Sequence, residues 1–124
     1  MITIKTNKRK YFKQYLNILK PLLVPKLSNG ELNILAELMY LNYKYKNIDV
    51  KSRGKLIFDY DSKISIINNL NTSLATLNNV ITILRKKNYI KANIINPNLV
   101  IDPDINTKLG FHFIIEEDKV ENTI

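Results

Sequence analysis

The chain has 124 residues, with 19 Lys or Arg against 11 Asp or Glu, one His and no Cys. This length fits one small domain, and a chain with 45% apolar residues can bury a core without help from a disulfide or a metal ion. The lack of cysteine excludes disulfides and thiolate metal sites. The only imidazole, His112, lies in a late β-like segment, which disfavours Ser-His-Asp and Cys-His catalysis. We therefore expect a protein that is not an enzyme.

The apolar segments are short. None approaches the run of about 20 apolar residues that a membrane span requires. The amino terminus also lacks the apolar core and the small-residue cleavage site of a signal peptide. We expect a protein that is neither secreted nor membrane-spanning and that stays inside a cell or a particle.

Charge is segregated along the chain. Residues 1–28 contain seven Lys or Arg and no acid, whereas residues 102–124 contain six acids and two lysines. The basic amino end could lie against phosphate, against an anionic protein surface, or against the chain's own acidic tail at Glu116, Glu117 and Asp118. All three alternatives remain open at this point.

Two helices are predicted in the first third of the chain. Apolar residues at helical spacing predict a first helix over residues 9–20, which Pro21 stops or bends. The capping-box pattern from Ser28 to Glu31 predicts a second helix over residues 29–43. Its apolar stripe is wide, so we expect this helix to be well buried.

The middle of the chain is predicted to contain a loop and a third helix. Residues 44–55 alternate lysine with aromatic and polar residues and are interpreted as a loop that ends at Gly54, followed by a short β-like run at residues 56–58. A third helix is expected from Asp61 or Ser62 through Leu70. Asn71 would end it, because Asn tolerates the left-handed conformation.

A fourth helix and several strands complete the predicted elements. Thr72 and Ser73 can cap a helix that runs to about Asn88. Its inner face is formed by Leu77, Val80, Ile81 and Leu84. Beyond it the pattern becomes β-like, with short apolar runs at Tyr89-Ile90, Ile94-Ile95 and Leu99-Val100-Ile101, and a final strand through Phe111, Phe113 and Ile115. The predicted class is α+β.

The helix pair, its turn and the segment that follows carry a resemblance. The stretch IINNLNTSLATLNNVITILRKKNYI resembles the string of winged helix-turn-helix proteins, in which a first helix ends in Leu and a Ser-capped helix leads into a basic segment and a β-hairpin. Together with KLSNGELNILAELMYLNYKY and INPNLVI, it is similar to small winged-helix proteins of tailed bacteriophages. The many Ile, Lys and Asn residues, which have AT-rich codons, suit the crAss-like type.

The resemblance implies a fold and leaves two functions open. It implies an α+β winged helix-turn-helix with an additional N-terminal helix and a C-terminal β-hairpin wing. We divide the chain into a basic arm and helix at 1–27, a winged-helix domain at 28–116 and an acidic tail at 117–124. Proteins of this type resemble either transcription regulators or virion components, and fold alone does not choose between them.

The outward face of the fourth helix decides how the two functions are weighed. Asn78 and Asn79 could read adenine edges in a major groove. However, no Arg or Lys occurs between residues 63 and 85, and Leu74 and Ile83 are apolar at outward positions. Leu74 could be covered by the first helix, could contact another protein, or could touch a thymine methyl group.

Other polar residues carry weaker indications. Lys86 and Lys87 lie at a helix end, where the carbonyl dipole favours cations, although they could also contact phosphates. A lone His112 is more often a surface residue than a metal ligand, and the Asp102-Pro103-Asp104 sequence is ordinary turn chemistry. We therefore expect neither a metal nor a cofactor.

These observations lead to one preferred function and one alternative. We expect a structural or accessory component of a tailed-phage virion, located in the virion or the host cytoplasm, in which Leu74, Asn78 and Ile83 bind other virion proteins or further copies of the chain. The alternative is a sequence-specific DNA-binding transcriptional regulator. Its candidate contacts are Ser73, Asn78, Asn79, Lys86, Lys87 and Lys91. No membrane and no small-molecule substrate is expected in either case.

Overall fold

In the part of the chain that the structure describes, five α-helices precede a small antiparallel sheet. The structure is a computed structural model that describes residues 2–110 and 112–117. The elements, in chain order, are α1 (Lys8–Leu19), α2 (Asn29–Lys44), α3 (Val50–Ile57), α4 (Tyr60–Leu70), α5 (Leu74–Lys86), β1 (Ile90–Lys91) and β2 (Ile94–Ile95). Short 3-10 helices occupy Lys20–Leu22 and Pro97–Leu99. The described chain is thus mostly helical with a two-stranded sheet, which is compatible with the predicted α+β class.

Helix α1 confirms the first predicted helix. Asn7 caps it by accepting a hydrogen bond from the Lys10 amide at 2.9 Å. Phe12 and Leu16 are buried and pack against α2. The basic amino-terminal segment therefore contributes apolar side chains to the common core.

Helix α2 is the central element. The predicted capping box is present, because the Ser28 hydroxyl accepts from the Glu31 amide and the Glu31 carboxylate accepts from the Ser28 amide, both at 3.2 Å. Helices α1, α3, α4 and α5 and strand β2 all contact α2. It is accordingly the most buried helix, as its wide apolar stripe predicted.

The predicted loop over residues 44–55 is wrong, because its second half and the first two residues of the predicted β-like run, Leu56 and Ile57, form helix α3. Asp49 caps this helix by accepting from the Ser52 amide at 3.0 Å. The Arg53 guanidinium donates to the carbonyls of Tyr45, Lys46 and Ile48 and fixes the preceding turn. A glycine inside an eight-residue helix obscured the helical pattern in the sequence.

The next two helices follow the prediction closely. Helix α4 begins at Tyr60, slightly before the expected start at Asp61 or Ser62, because Asp59 is its cap and accepts from the Ser62 amide at 2.8 Å. Asn71 ends α4 in the left-handed conformation, with φ of 53°. Ser73 then caps α5 by accepting from the Thr76 amide at 3.1 Å. Asn88 follows the end of α5 with φ of 64°, also left-handed.

The β structure is smaller than predicted. Ile90 pairs with Ile95, and Lys91 pairs with Ile94. The strand predicted over Leu99-Val100-Ile101 does not form. Leu99 ends a 3-10 helix, and Val100 and Ile101 belong to no helix or strand. Proline at the start of this turn cannot donate to a sheet ladder, which favours the turn over a strand.

The final predicted strand is also absent from the described residues. Residues 112–117 form no helix or strand, because no neighbouring strand pairs with them. Phe111, the first residue of that prediction, lies outside the described residues. Phe113 and Ile115 therefore have the alternating apolar pattern of a strand, but the described residues contain no strand that pairs with them.

None of the helices in the described ranges is long and apolar enough to cross a lipid bilayer.

Candidate functional site

The orientation of α5 defines the candidate site. Leu77, Ile81 and Leu84 are almost fully buried, and α5 packs on α2. Val80 is half-buried at the edge of the same face. The inner face of α5 was therefore predicted correctly. The opposite face is available for contact with solvent or with a partner.

We define the α5 outer face as Ser73, Leu74, Asn78, Asn79 and Ile83. Leu74 is 38% exposed, and both asparagines are exposed. Ile83 is only half-buried, at the margin of the face. Leu74 and Ile83 lie about 180° apart around the helix axis, at opposite margins of this face, and the exposed Asn78 and Asn79 lie between them. The structure therefore brings Leu74 and Asn78 together but not Leu74 and Ile83, and Ile83 is the least accessible of the predicted partner-binding residues.

Local hydrogen bonds occupy part of this face. The Ser73 hydroxyl accepts from the Thr76 amide and donates to the Thr76 hydroxyl at 2.9 Å. The Thr82 hydroxyl donates to the Asn78 carbonyl at 3.0 Å. Ser73 therefore caps α5, whereas Asn78 and Asn79 are exposed to solvent.

The first helix leaves Leu74 accessible. Helix α1 packs against α2, with Phe12 and Leu16 directed into that contact. Leu74 retains its 38% exposure in the presence of α1. The accessible leucine side chain can therefore contact another molecule without any rearrangement of the core.

Two of the three basic residues at the end of α5 make contacts within the chain. The Arg85 guanidinium donates to the Asn93 side-chain oxygen at 2.9 Å and lies 5.5 Å from the Phe58 ring centre. The Lys87 ammonium donates to the Glu31 carboxylate at 2.6 Å and to the Lys26 carbonyl at 2.8 Å. The hydrogen bond from Lys87 holds the pKa of Glu31 below its usual value. Sequence reasoning missed these contacts because their partners are distant along the chain.

The remaining predicted phosphate contacts are exposed. Lys86 lies at the end of α5, and Lys91 lies on β1 of the hairpin. Both side chains can reach an anion without breaking the contacts of Arg85 or Lys87. Of the three lysines predicted to contact phosphates, Lys87 is therefore engaged within the chain, whereas Lys86 and Lys91 are accessible.

A second polar cluster joins the start of α1 and the end of α2 to the segment at 102–104. Lys46 donates to Asp104 at 2.7 Å and to Asp102 at 3.0 Å, and Lys8 lies 3.1 Å from Asp104. The Tyr43 hydroxyl donates to the Asp104 carboxylate at 2.8 Å. The basic amino end therefore meets the acids at 102–104, while Glu116 and Glu117 remain exposed.

The charges in this cluster shift one another's titration. Hydrogen bonds from Lys46, Tyr43 and Lys8 hold the pKa of Asp104 well below its usual range. The two carboxylates raise the pKa of Lys46 above its usual value. These shifts match a surface ion-pair network that attaches the 102–106 segment to the helices.

The buried carboxylate of Glu37 is hydrogen-bonded to side chains of neighbouring helices. Glu37 on α2 is 6% exposed and accepts from the Arg9 guanidinium at 2.9 and 3.1 Å. The Asn69 side-chain amide donates to the other carboxylate oxygen. Among the residues that the structure describes, no group of three or more His, Cys, Asp or Glu side chains could hold a metal ion.

Comparisons with protein-family models, with curated proteins and with solved structures found no match to this chain. The functional inference therefore depends on the chemistry of the surfaces described above.

Proposed function

We propose that this chain is a non-enzymatic interaction protein of winged helix-turn-helix type that is incorporated into a tailed-phage virion, at the portal, neck or capsid vertex. In this proposal α4 and α5 are the helix-turn-helix, and the hairpin of β1 and β2 is a reduced wing. The order of helix, tight turn, helix and hairpin supports this interpretation. The α5 outer face would bind a neighbouring virion protein or another copy of the chain.

The observation that carries the proposal is the chemistry of the α5 outer face. From Leu74 to Leu84 the helix has no charged side chain. Its first turn presents a leucine that is 38% exposed, next to the exposed amide of Asn78. Protein interfaces typically combine an apolar contact with polar groups that form hydrogen bonds and have few charges at their centre.

The cations near the face favour the same conclusion. Recognition of a duplex depends on Lys and Arg side chains that neutralise phosphates. Arg85 is engaged with Asn93, and Lys87 is engaged with Glu31 and the Lys26 carbonyl. Release of Lys87 would leave the Glu31 carboxylate without its strongest partner, so this lysine is a poor candidate for a phosphate contact.

The test replaces the exposed leucine with a charged residue. We expect Leu74→Asp to reduce incorporation into particles by roughly tenfold or more, because truncating an interface anchor costs about 2 kcal/mol. The measurement is the copy number per purified particle when the variant replaces the native gene. Leu22→Asp is the matched control, since Leu22 is 68% exposed on another surface, and it should be incorporated normally.

A second substitution guards against a folding defect in the first. Asn78→Arg changes an exposed position of the same face and should also reduce incorporation while the thermal unfolding of the free protein is unchanged. Normal incorporation of both face variants would contradict the proposal. Loss of folding in Leu74→Asp together with normal incorporation of Asn78→Arg would contradict it as well.

DNA binding is the second candidate, and the exposed asparagines are the observation that favours it. Asn78 and Asn79 can each form two hydrogen bonds with an adenine edge, and Lys86 and Lys91 can reach phosphates. On this alternative, Asn79→Ala relaxes base preference, and Lys86→Ala weakens binding to all duplexes while lowering the salt slope by about one unit. A salt titration of duplex binding measures both effects. The virion proposal expects Lys86→Ala to leave incorporation unchanged, because Lys86 is not part of the α5 outer face.

A further inference from the structure

A long groove runs between the amino-terminal residues, helix α1 and the segment at 103–109. It encloses about 1010 Å³. Its apolar surface includes Ile4, Tyr15 and Ile18. Ile4 and Ile18 are among the exposed large apolar residues of the chain. The groove lies on the α1 side of the molecule, whereas the proposed binding face belongs to α5.

The rim of the groove is basic. Lys8 and Lys108 line it, and no acidic residue is among its described lining residues. Lys8 is already paired with Asp104, so Lys108 is the lining cation that is left for a ligand. Lys5, also exposed, adjoins the lining residues in the amino-terminal segment. A ligand that suits this groove would therefore combine apolar side chains with negative charge.

The last described residues have that chemistry. We define the C-terminal arm as residues 113–117, with the sequence FIIEE. Phe113 is 82% exposed and Ile115 is 87% exposed, and two glutamates follow. Three successive exposed apolar side chains are costly in water, which favours their transfer into an apolar site.

The backbones of the arm and of one groove wall also lack partners. No backbone hydrogen bond joins residues 2–6 or 112–117 to another described residue. Neither segment forms a helix or a strand, and residues 2–6 are rich in β-branched residues. An extended segment can therefore be added beside residues 2–6 as a strand, with main-chain hydrogen bonds supplying part of the affinity.

We propose that two copies of this chain form a dimer by exchanging arms, with the C-terminal arm of each copy docked in the α1 groove of the other. The apolar residues of the arm fill the groove, and Glu116 and Glu117 face Lys108 and the neighbouring Lys5. The arm's own groove is a poorer acceptor, because none of the arm residues lines it and the chain leaves that groove at Leu109. Reciprocal exchange closes the assembly at two copies.

This surface is separate from the α5 outer face. The inference therefore does not depend on the proposed function. Substitutions in the arm or the groove leave Leu74 and Asn78 unchanged, so a failure of arm exchange and a failure of the α5 interface give different results.

Sedimentation equilibrium of the full chain tests the self-association. We expect a concentration-dependent dimer whose dissociation constant rises by roughly tenfold or more in Ile115→Asp and in Ile18→Asp. Val50→Asp is the control, because it places the same charge at an exposed apolar position on α3 and should leave the dimer intact. A native chain that remains monomeric at millimolar concentration would overturn the proposal, as would an equal effect of all three substitutions.

Crosslinking distinguishes exchange between copies from docking within one copy. Because the chain has no cysteine, Ile115→Cys and Ile18→Cys introduce single reactive thiols. On oxidation of an equal mixture, arm exchange predicts a covalent dimer of the two unlike variants, in excess over a mixture in which Val50→Cys replaces Ile18→Cys. Unlike dimers at the control level would overturn the proposal. An intrachain disulfide as the main product of the double variant would also overturn it.

Discussion

Gly54 lies inside α3 with its α-carbon against the turn of the hairpin. A β-carbon built there would be 2.6 Å from the Asn93 carbonyl oxygen and 3.2 Å from the Asn93 β-carbon. The nearer of these atoms belongs to the backbone, so a side-chain rotation cannot relieve the contact. The glycine therefore sets how closely α3 and the hairpin approach.

We predict that Gly54→Ala destabilises the protein. In an exposed helix interior, alanine is more favourable than glycine by about 1 kcal/mol. Here the displacement of the hairpin should outweigh that gain and give a net loss of about 1–3 kcal/mol. Urea unfolding monitored by circular dichroism measures the free energy of unfolding.

Gly30→Ala is the control for that substitution. Gly30 lies in the first turn of α2, and no atom lies within 4 Å of its added β-carbon. This variant should be as stable as the native chain or slightly more stable. If Gly54→Ala behaved like Gly30→Ala, the close approach at Asn93 would not be a real constraint.

Asparagine residues with positive φ explain how the chain turns without more glycine. Asn71, Asn88 and Asn93 all have positive φ, at the end of α4, after α5 and in the hairpin turn. Asn adopts this conformation at lower cost than most residues because its short side chain can bond locally. Ala92 is the exception, with φ of 50° beside Asn93. Alanine has no polar side chain that could bond locally, so Ala92 bears the full steric cost of the left-handed conformation.

At the scale of elements, α1 is attached to the rest of the fold by a partly buried ion pair as well as by apolar contacts. Arg9 reaches from α1 to Glu37 on α2, and Asn69 on α4 bonds the same carboxylate. Glu37 therefore connects three helices. Its side chain is 7% exposed, so the carboxylate relies on these partners in place of water.

We predict that Arg9→Met lowers the free energy of unfolding by about 2–3 kcal/mol, somewhat less than the loss on breaking a fully buried pair. The smaller value reflects the Arg9 side chain, which is 36% exposed and already partly solvated. Lys10→Met removes the same charge from an exposed position of α1 and should change stability little. Equal unfolding curves for the two variants would show that the ion pair does not attach α1.

The 102–106 segment is attached to the helices by charges that titrate. The pKa of Asp104 is lowered from 3.8 by Lys46, Tyr43 and Lys8, so its contribution is present above that pH and is lost as the pH falls through the lowered value. The pKa of Lys46 is raised from 10.5, so its contribution is present below that pH and is lost only at higher pH.

We therefore predict that this segment stays attached from about pH 4 to pH 10 and detaches at both extremes. The effect should be small, because more than a third of each side chain is exposed and solvent screens the pair. Amide hydrogen exchange of Ile105 and Asn106 across this range measures the attachment. Asp104→Asn should exchange faster at pH 7. Exchange rates unaffected by that substitution would contradict the prediction.

At the scale of the whole molecule, local patterns predicted the helices that have strong caps and long apolar stripes. The Ser28 capping box, the Ser73 cap and the left-handed Asn71 each lie where the sequence placed them. These features depend on residues within four positions of one another. The inner face of α5 was predictable for the same reason, since helical spacing fixes which side chains share a face.

Features that depend on distant contacts were not predictable. Helix α3 is short and contains Gly54, whose helical position is stabilised by close packing on Asn93. The engagement of Lys87 by Glu31 joins residues that are 56 positions apart. The strand expected through Phe113 and Ile115 has the right alternation but no neighbouring strand in the described chain. An alternating sequence favours a strand, but a strand forms only where a neighbouring strand can pair with it.

The most direct test of the proposed virion function is quantitative mass spectrometry of purified phage particles that encode this chain, compared with the infected-cell lysate. The particles are washed with nuclease and high salt beforehand, which removes proteins held only through DNA. Our account predicts a fixed copy number per particle that survives the washing. Absence from the particles, with the protein abundant in the lysate, would contradict it and would favour the DNA-binding alternative.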